Sequence, residues 1–149
     1  MREEFITSLK AAMKAGDKMR VSTLRLVQAA IKDKDIEARG LGKTVSDDDI
    51  LALLQKMVKQ RQESLAIFER EKREDLASIE RSEIAIITSF LPQQLDEAAV
   101  KAAIAAAIAE TGAGGIKDMG KVVGALKAKY SGQMDFGKAS GLVKAALAG

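Results

Sequence analysis

The chain contains no cysteine and no histidine. That double absence removes disulfides, thiolate nucleophiles, imidazole bases and the usual zinc ligands in one step. Tryptophan is missing too, and the aromatic residues are four Phe and one Tyr, too few for a platform on which single-stranded bases stack. Proline occurs once. No apolar run approaches the length of a membrane crossing, and Met1-Arg2-Glu3-Glu4 opens directly into an amphipathic pattern without the apolar core of a secretory signal. The expectation is a soluble cytoplasmic protein with no metal, no cofactor and no membrane partner. Its 149 residues suffice for one domain or two small helical lobes with modest cores.

Charge is plentiful but nearly balanced. Lys and Arg number 24 against 21 Asp and Glu, a net of +3, too small by itself to demonstrate a nucleic-acid partner. Its distribution changes at Pro92. Residues 1–90 carry 17 basic and 16 acidic groups, whereas residues 91–149 carry 7 and 5, every basic one a lysine. The first part is rich in long charged side chains and the second in Ala and Gly. Two domains are expected, 1–91 and 92–149, joined at Leu91-Pro92-Gln93-Gln94, because proline lacks an N–H and disfavours helical geometry in the residue before it.

Helical periodicity runs through every long segment, so the expected fold is all-α and two-lobed, with N-terminal helices followed by a small three-helix lobe. Phe5, Ile6, Leu9 and Met13 mark the inward face of a first helix, which Gly16 ends as a left-handed cap. Asp17 caps a second helix, with Val21, Leu24, Val27 and Ile31 inside. Ser46 and Asp49 have capping-box spacing and open a long third helix carrying Ile50, Leu54, Met57, Leu65 and Phe68. Leu76, Ile79, Ile86, Ile87 and Phe90 define a fourth. In the second lobe Asp96 is a natural N-cap, Leu95 and Val100 form a hydrophobic staple, and the helix reaches Thr111 before Gly112. Two shorter helices follow, one with Met119, Val122, Val123, Leu126 and Tyr130 inside, the next with Phe136, Val143 and Leu147.

Several catalytic or ligand motifs fail on inspection. Gly42-Lys43-Thr44 matches the end of a phosphate-binding loop, but the required first glycine is Glu37 and no strand precedes it. Gly112-Ala113-Gly114-Gly115 lacks the last glycine of a dinucleotide fingerprint, a place taken by Lys117. Asp47, Asp48 and Asp49 suit the positive end of a helix and need no cation to explain them. Glu80 and Glu83 lie one turn apart and could do acid–base work; with Arg81 and Lys72 near in sequence, solvated charge is the simpler reading.

The less ordinary pattern is in the last two helices. Gly120, Gly124 and Ala128 recur every four residues, as do Gly137, Gly141 and Ala145, giving each helix a smooth stripe opposite its apolar face. A glycine inside a helix costs about 1 kcal/mol relative to alanine, so four at this spacing call for a close contact. Lys117 and Lys121 lie beside the first stripe; Lys138 and Lys144 flank the second. One reading is a surface that a phosphate backbone approaches. The other is packing against a further helix, within the lobe or in a partner, with the lysines at the rim.

Segments across the whole chain resemble a known family. Leu91-Pro92-Gln93-Gln94-Leu95, Asp118-Met119-Gly120-Lys121-Val122-Val123-Gly124 and Val143-Lys144-Ala145-Ala146-Leu147 resemble the tail domain of GatB, a subunit of glutamine-dependent tRNA amidotransferase. With Thr23-Leu24-Arg25-Leu26, Lys56-Met57-Val58-Lys59-Gln60-Arg61-Gln62-Glu63-Ser64 and Arg73-Glu74-Asp75-Leu76-Ala77, the chain is similar to the free-standing YqeY proteins, which join that tail to an N-terminal helical lobe. In that family Gly-Arg often precedes the aspartate matching Asp135; here Gly132-Gln133-Met134 stands there.

The resemblance implies a tRNA-binding or tRNA-amidation accessory, because the GatB tail helps hold the tRNA being amidated. The associated chemistry is carbon–nitrogen ligation with glutamine as amide donor, but the ATP-using and glutaminase centres belong to other parts of that enzyme. Expected partners are tRNA and an amidotransferase or aminoacyl-tRNA synthetase. The candidate RNA contacts are Lys117, Lys121, Lys138 and Lys144, assisted by Arg20 and Arg25, around the close-approach positions Gly120, Gly124, Gly137 and Gly141. The alternative is an adaptor that binds proteins through its helix surfaces without touching RNA. A self-sufficient amidotransferase is the third reading.

Overall fold

The computed structural model describes residues 1–149, and its regular structure is helical throughout, with no strand. Seven α-helices follow in order: α1 (Arg2–Ala15), α2 (Lys18–Gly40), α3 (Asp47–Arg70), α4 (Glu74–Thr88), α5 (Glu97–Thr111), α6 (Met119–Tyr130) and α7 (Phe136–Ala148). A 3-10 turn at Ile116–Asp118 precedes α6. The chain divides into two compact units, Met1–Leu91 and Pro92–Gly149.

In the first unit the helix ends follow local chemistry. Gly16 takes φ 71° beyond α1, a conformation available to glycine without a Cβ penalty. The Asp17 carboxylate accepts the Arg20 N–H at 3.0 Å and caps α2. At the start of α3, Ser46 Oγ accepts the Asp49 N–H while Asp49 accepts the Ser46 N–H, so the capping box is complete. The Ser46 backbone N–H first, and then the Ser46 side chain, hold the Asp49 carboxyl below the usual carboxylate range. The three aspartates thus occupy the turn where the helix dipole favours them.

Phe5, Leu24, Val27, Ile50, Leu54 and Ile87 form the centre of this unit, each essentially without solvent exposure. The Phe5 and Phe90 rings meet at 4.8 Å between centroids with a 45° tilt, a separation at which aromatic pairs attract beyond their area alone. Thr23 is the one buried polar residue, and its hydroxyl donates to the Met19 carbonyl at 2.8 Å. Three expected core positions lie outside: Ile6 is 48% exposed, Met13 54% and Ile79 40%. For α1 the reason is that the helix packs mainly on α2. Its inward stripe is the narrow series Phe5, Leu9, Ala12, which leaves Ile6 and Met13 on the flanks.

The second unit begins with Asp96, whose carboxylate accepts the Ala99 N–H at 2.7 Å, and α5 ends at Gly112 with φ 65°. Leu95 and Val100 pack against one apolar cluster built from Ile104, Val122, Leu126, Met134 and Val143. The Gln94 side-chain amide donates to the Gly132 carbonyl at 2.6 Å, and the Leu95 N–H donates to the Gln133 carbonyl at 2.9 Å. Pro92-Gln93-Gln94-Leu95 therefore laces the start of this unit to the turn between α6 and α7. No single helix in the chain is long and apolar enough to cross a membrane.

Candidate nucleic-acid interface

On α6 the core side is set by Val122 and Leu126, both buried. At 3.6 residues per turn, Gly120, Gly124, Ala128 and Lys121 fall on the opposite side; Lys117 lies in the 3-10 turn just before the helix, and all five are exposed. On α7, Ala139 and Val143 are buried. Gly137, Gly141 and Ala145 face away from them, with Lys138 and Lys144 on either flank, and again all five are exposed.

The glycines are not packed against another helix of the unit. A Cβ placed on Gly120, Gly124 or Gly141 meets nothing within 4 Å. The reading in which these stripes are buried inside the lobe is thereby corrected: α5, α6 and α7 close their core with aliphatic side chains, leaving the glycine faces to solvent. Gly137 has a different, local explanation. The Asp135 carboxylate caps α7 by accepting the N–H groups of Gly137 at 2.9 Å and Lys138 at 3.3 Å, and a Cβ on Gly137 lies 3.1 Å from that oxygen.

Asp118 organises the entry to α6. Its carboxylate accepts the Gly114 N–H at 2.9 Å across the glycine-rich connector and lies 3.9 Å from the Lys121 ammonium. Lys121 stays 70% exposed in that pair, so the contact is screened and leaves the charge open to a further anion. Met134 is buried among the core residues. Gln133, which follows Gly132 in the segment before Asp135, is only partly buried.

The other two candidates belong to the first unit. Arg20 lies over the Phe90 ring, 5.6 Å from its centroid, a cation–π contact that holds it against the core edge. Arg25 is exposed and lines a groove with Met13, Val21 and Leu26.

The acidic pair of α4 also departs from the solvated reading. Glu83 is only 15% exposed and accepts from Arg61 Nε of α3 at 2.7 Å, while the same guanidinium donates to the Met57 carbonyl. Arg81, its neighbour in sequence, turns instead to Glu69 and Glu74. Glu80 Oε2 is buried with no hydrogen-bond partner. Burial first, and then the nearby Glu83 charge, push the Glu80 carboxyl up, with Arg61 opposing. Sequence proximity missed this cluster because Arg61 approaches from another helix.

Comparison with known proteins extends these observations. The model of the Yqey-like protein family matches residues 2–147. Curated relatives include "Altered inheritance of mitochondria protein 41, mitochondrial" from Lachancea thermotolerans, 39% identical over 85 residues that make up 57% of this chain and 44% of that protein. The protein of that name from Clavispora lusitaniae is 38% identical, with 60% and 52% covered; the Saccharomyces cerevisiae one is 34% identical, with 57% and 45% covered. The chain spans about half the length of the curated relatives it matches. Their names overturn the expectation of a cytoplasmic location. That expectation rested on a missing apolar leader, and mitochondrial targeting segments are amphipathic and need none. The all-helical architecture and the match over residues 2–147 together place this chain in the YqeY-like family.

Proposed function

We propose that the protein is an RNA-binding accessory of tRNA metabolism, and that its second unit meets the phosphate backbone of a folded tRNA. The observation that carries this reading is the open glycine face on each of α6 and α7. Gly120, Gly124 and Gly141 have free space above them, and Lys117, Lys121, Lys138 and Lys144 stand exposed beside them. A smooth helix face lets a sugar–phosphate chain approach closely, and ammonium groups at its edge neutralise phosphates without reading sequence. The likeness of this unit to the GatB tail supports tRNA as the folded RNA. Scarce aromatics favour recognition by shape and backbone over base stacking.

The test is fluorescence anisotropy of labelled tRNA against the full chain from low to physiological salt. Neutralisation of about three phosphates gives a slope of log affinity against log salt of roughly −2 to −3. Replacing all four lysines by alanine flattens that slope and abolishes binding while helicity persists. Unchanged affinity in the folded quadruple variant removes the reading. A second reading, an adaptor for another protein, draws on a different surface in the first unit.

A further inference from the structure

We propose that the groove bounded by the end of α1 and the first half of α2 docks an acidic amphipathic helix of a partner protein. The groove is a shallow, open depression of about 730 Å³, lined by Met13, Val21, Leu26, Lys18, Arg25 and the Glu83 edge of α4. Met13 is 54% and Leu26 45% exposed, so two large apolar side chains stand in solvent at one concave place. Single exposed apolar residues are ordinary on a protein surface, whereas a cluster in a concavity marks a contact site. Met13 is also flexible and polarisable, a side chain that adapts to varied apolar partners.

Charge complementarity selects the occupant. Lys18 and Arg25 are seven residues apart on α2, two turns along one face and about 10 Å in axial rise. The ion pairs of this unit leave both unengaged. The one carboxylate on the lining, Glu83, is neutralised by Arg61 at 2.7 Å. The groove therefore presents an apolar floor between two free cations. A helix with apolar side chains at i, i+3 or i+4 and i+7, flanked by carboxylates two turns apart, matches that layout. RNA does not, since a phosphate backbone gains nothing from Met13, Val21 and Leu26. Arg25 then meets a protein partner rather than RNA, and the docking site lies wholly within the first unit.

The experiment is selection of a displayed library of roughly 16-residue peptides on the full-length chain, with affinities of the enriched peptides measured by anisotropy. The expected peptides combine an apolar helical stripe with flanking Asp or Glu. Their affinity falls about tenfold or more in the Lys18→Glu/Arg25→Glu double variant, and equally in Met13→Asp, at unchanged helicity and melting temperature. Peptides in which Lys replaces the acidic residues bind the double variant better than the native chain. Absence of enrichment, enrichment of basic or unpatterned peptides, or equal affinity in the folded variants overturns the proposal. Direct binding of labelled tRNA or phosphatidylserine vesicles that disappears in the same double variant assigns the groove to another class of partner and also overturns it.

Discussion

Arg61 of α3 and Glu83 of α4 meet at 2.7 Å with 16% and 15% of their side chains exposed, joining two helices through a largely enclosed ion pair. A pair in that setting is screened far less than one in open water. Truncating one partner leaves the other charge enclosed and uncompensated, which accounts for most of the loss. Glu83→Ala is expected to destabilise the first unit by about 1–3 kcal/mol. Denaturant titration of Arg61→Ala, Glu83→Ala and the double variant checks this. The double variant should lose less than the two singles together, and strict additivity would show the pair to be uncoupled.

Glu80 gives a stability change of the opposite sign to most carboxylates. Its folded-state pKa is raised by burial and by Glu83, so the folded protein holds the Glu80 proton more tightly than the unfolded chain does. The resulting stabilisation is present below the ordinary glutamate range and is lost as pH rises through the raised value. Glu80→Gln, which also leaves no buried oxygen charged, should raise the melting temperature at neutral pH by about 1–3 °C. The gain should vanish in acid, where the native carboxyl is already neutral. A gain of equal size at both pH values would mean that ionisation of Glu80 is not its source.

The open glycines make a discriminating test of α6 and α7. With nothing within 4 Å of a Cβ on Gly124 or Gly141, alanine fits without displacement and restores helix propensity. Each substitution should stabilise by about 0.5–1 kcal/mol. Leucine at either position should preserve folding and weaken tRNA binding, because bulk then stands where the backbone approaches. A large loss of stability from Gly124→Ala would mean that the face is packed after all.

The αL turn between α3 and α4 supplies a further measurement. Lys72 has φ 57°, the one non-glycine residue with positive φ, a conformation that costs an ordinary residue about 1–2 kcal/mol. Lys72→Gly should relieve part of that strain and slow unfolding of the helical pair. Faster unfolding would place a stabilising contact at the Lys72 side chain.

Purified protein supplied with glutamine, ATP, magnesium and Glu-tRNA or Asp-tRNA should form no amidated product. Neither cysteine nor histidine is present, and neither glycine–lysine segment, Gly42-Lys43-Thr44 nor Gly112 to Lys117, fits a nucleotide-binding fingerprint. Catalytic turnover by substoichiometric protein overturns the accessory reading.

Helix identity and most helix ends were legible locally. Asp17, the Ser46–Asp49 box, Asp96 and the glycines at 16 and 112 act through bonds or dihedrals spanning a few residues, and such interactions are written in adjacent letters. The lysines and glycines of α6 and α7 could likewise be placed on one side of each helix by period alone. What period cannot supply is the object that a face meets. Whether Gly124 abuts a helix or solvent, why Met13 lies outside while Ala12 lies inside, and how Arg61 finds Glu83 at a separation of 22 residues depend on packing between helices. Side-chain volume and long-range contact settle those questions, and they exist only once the chain has closed on itself.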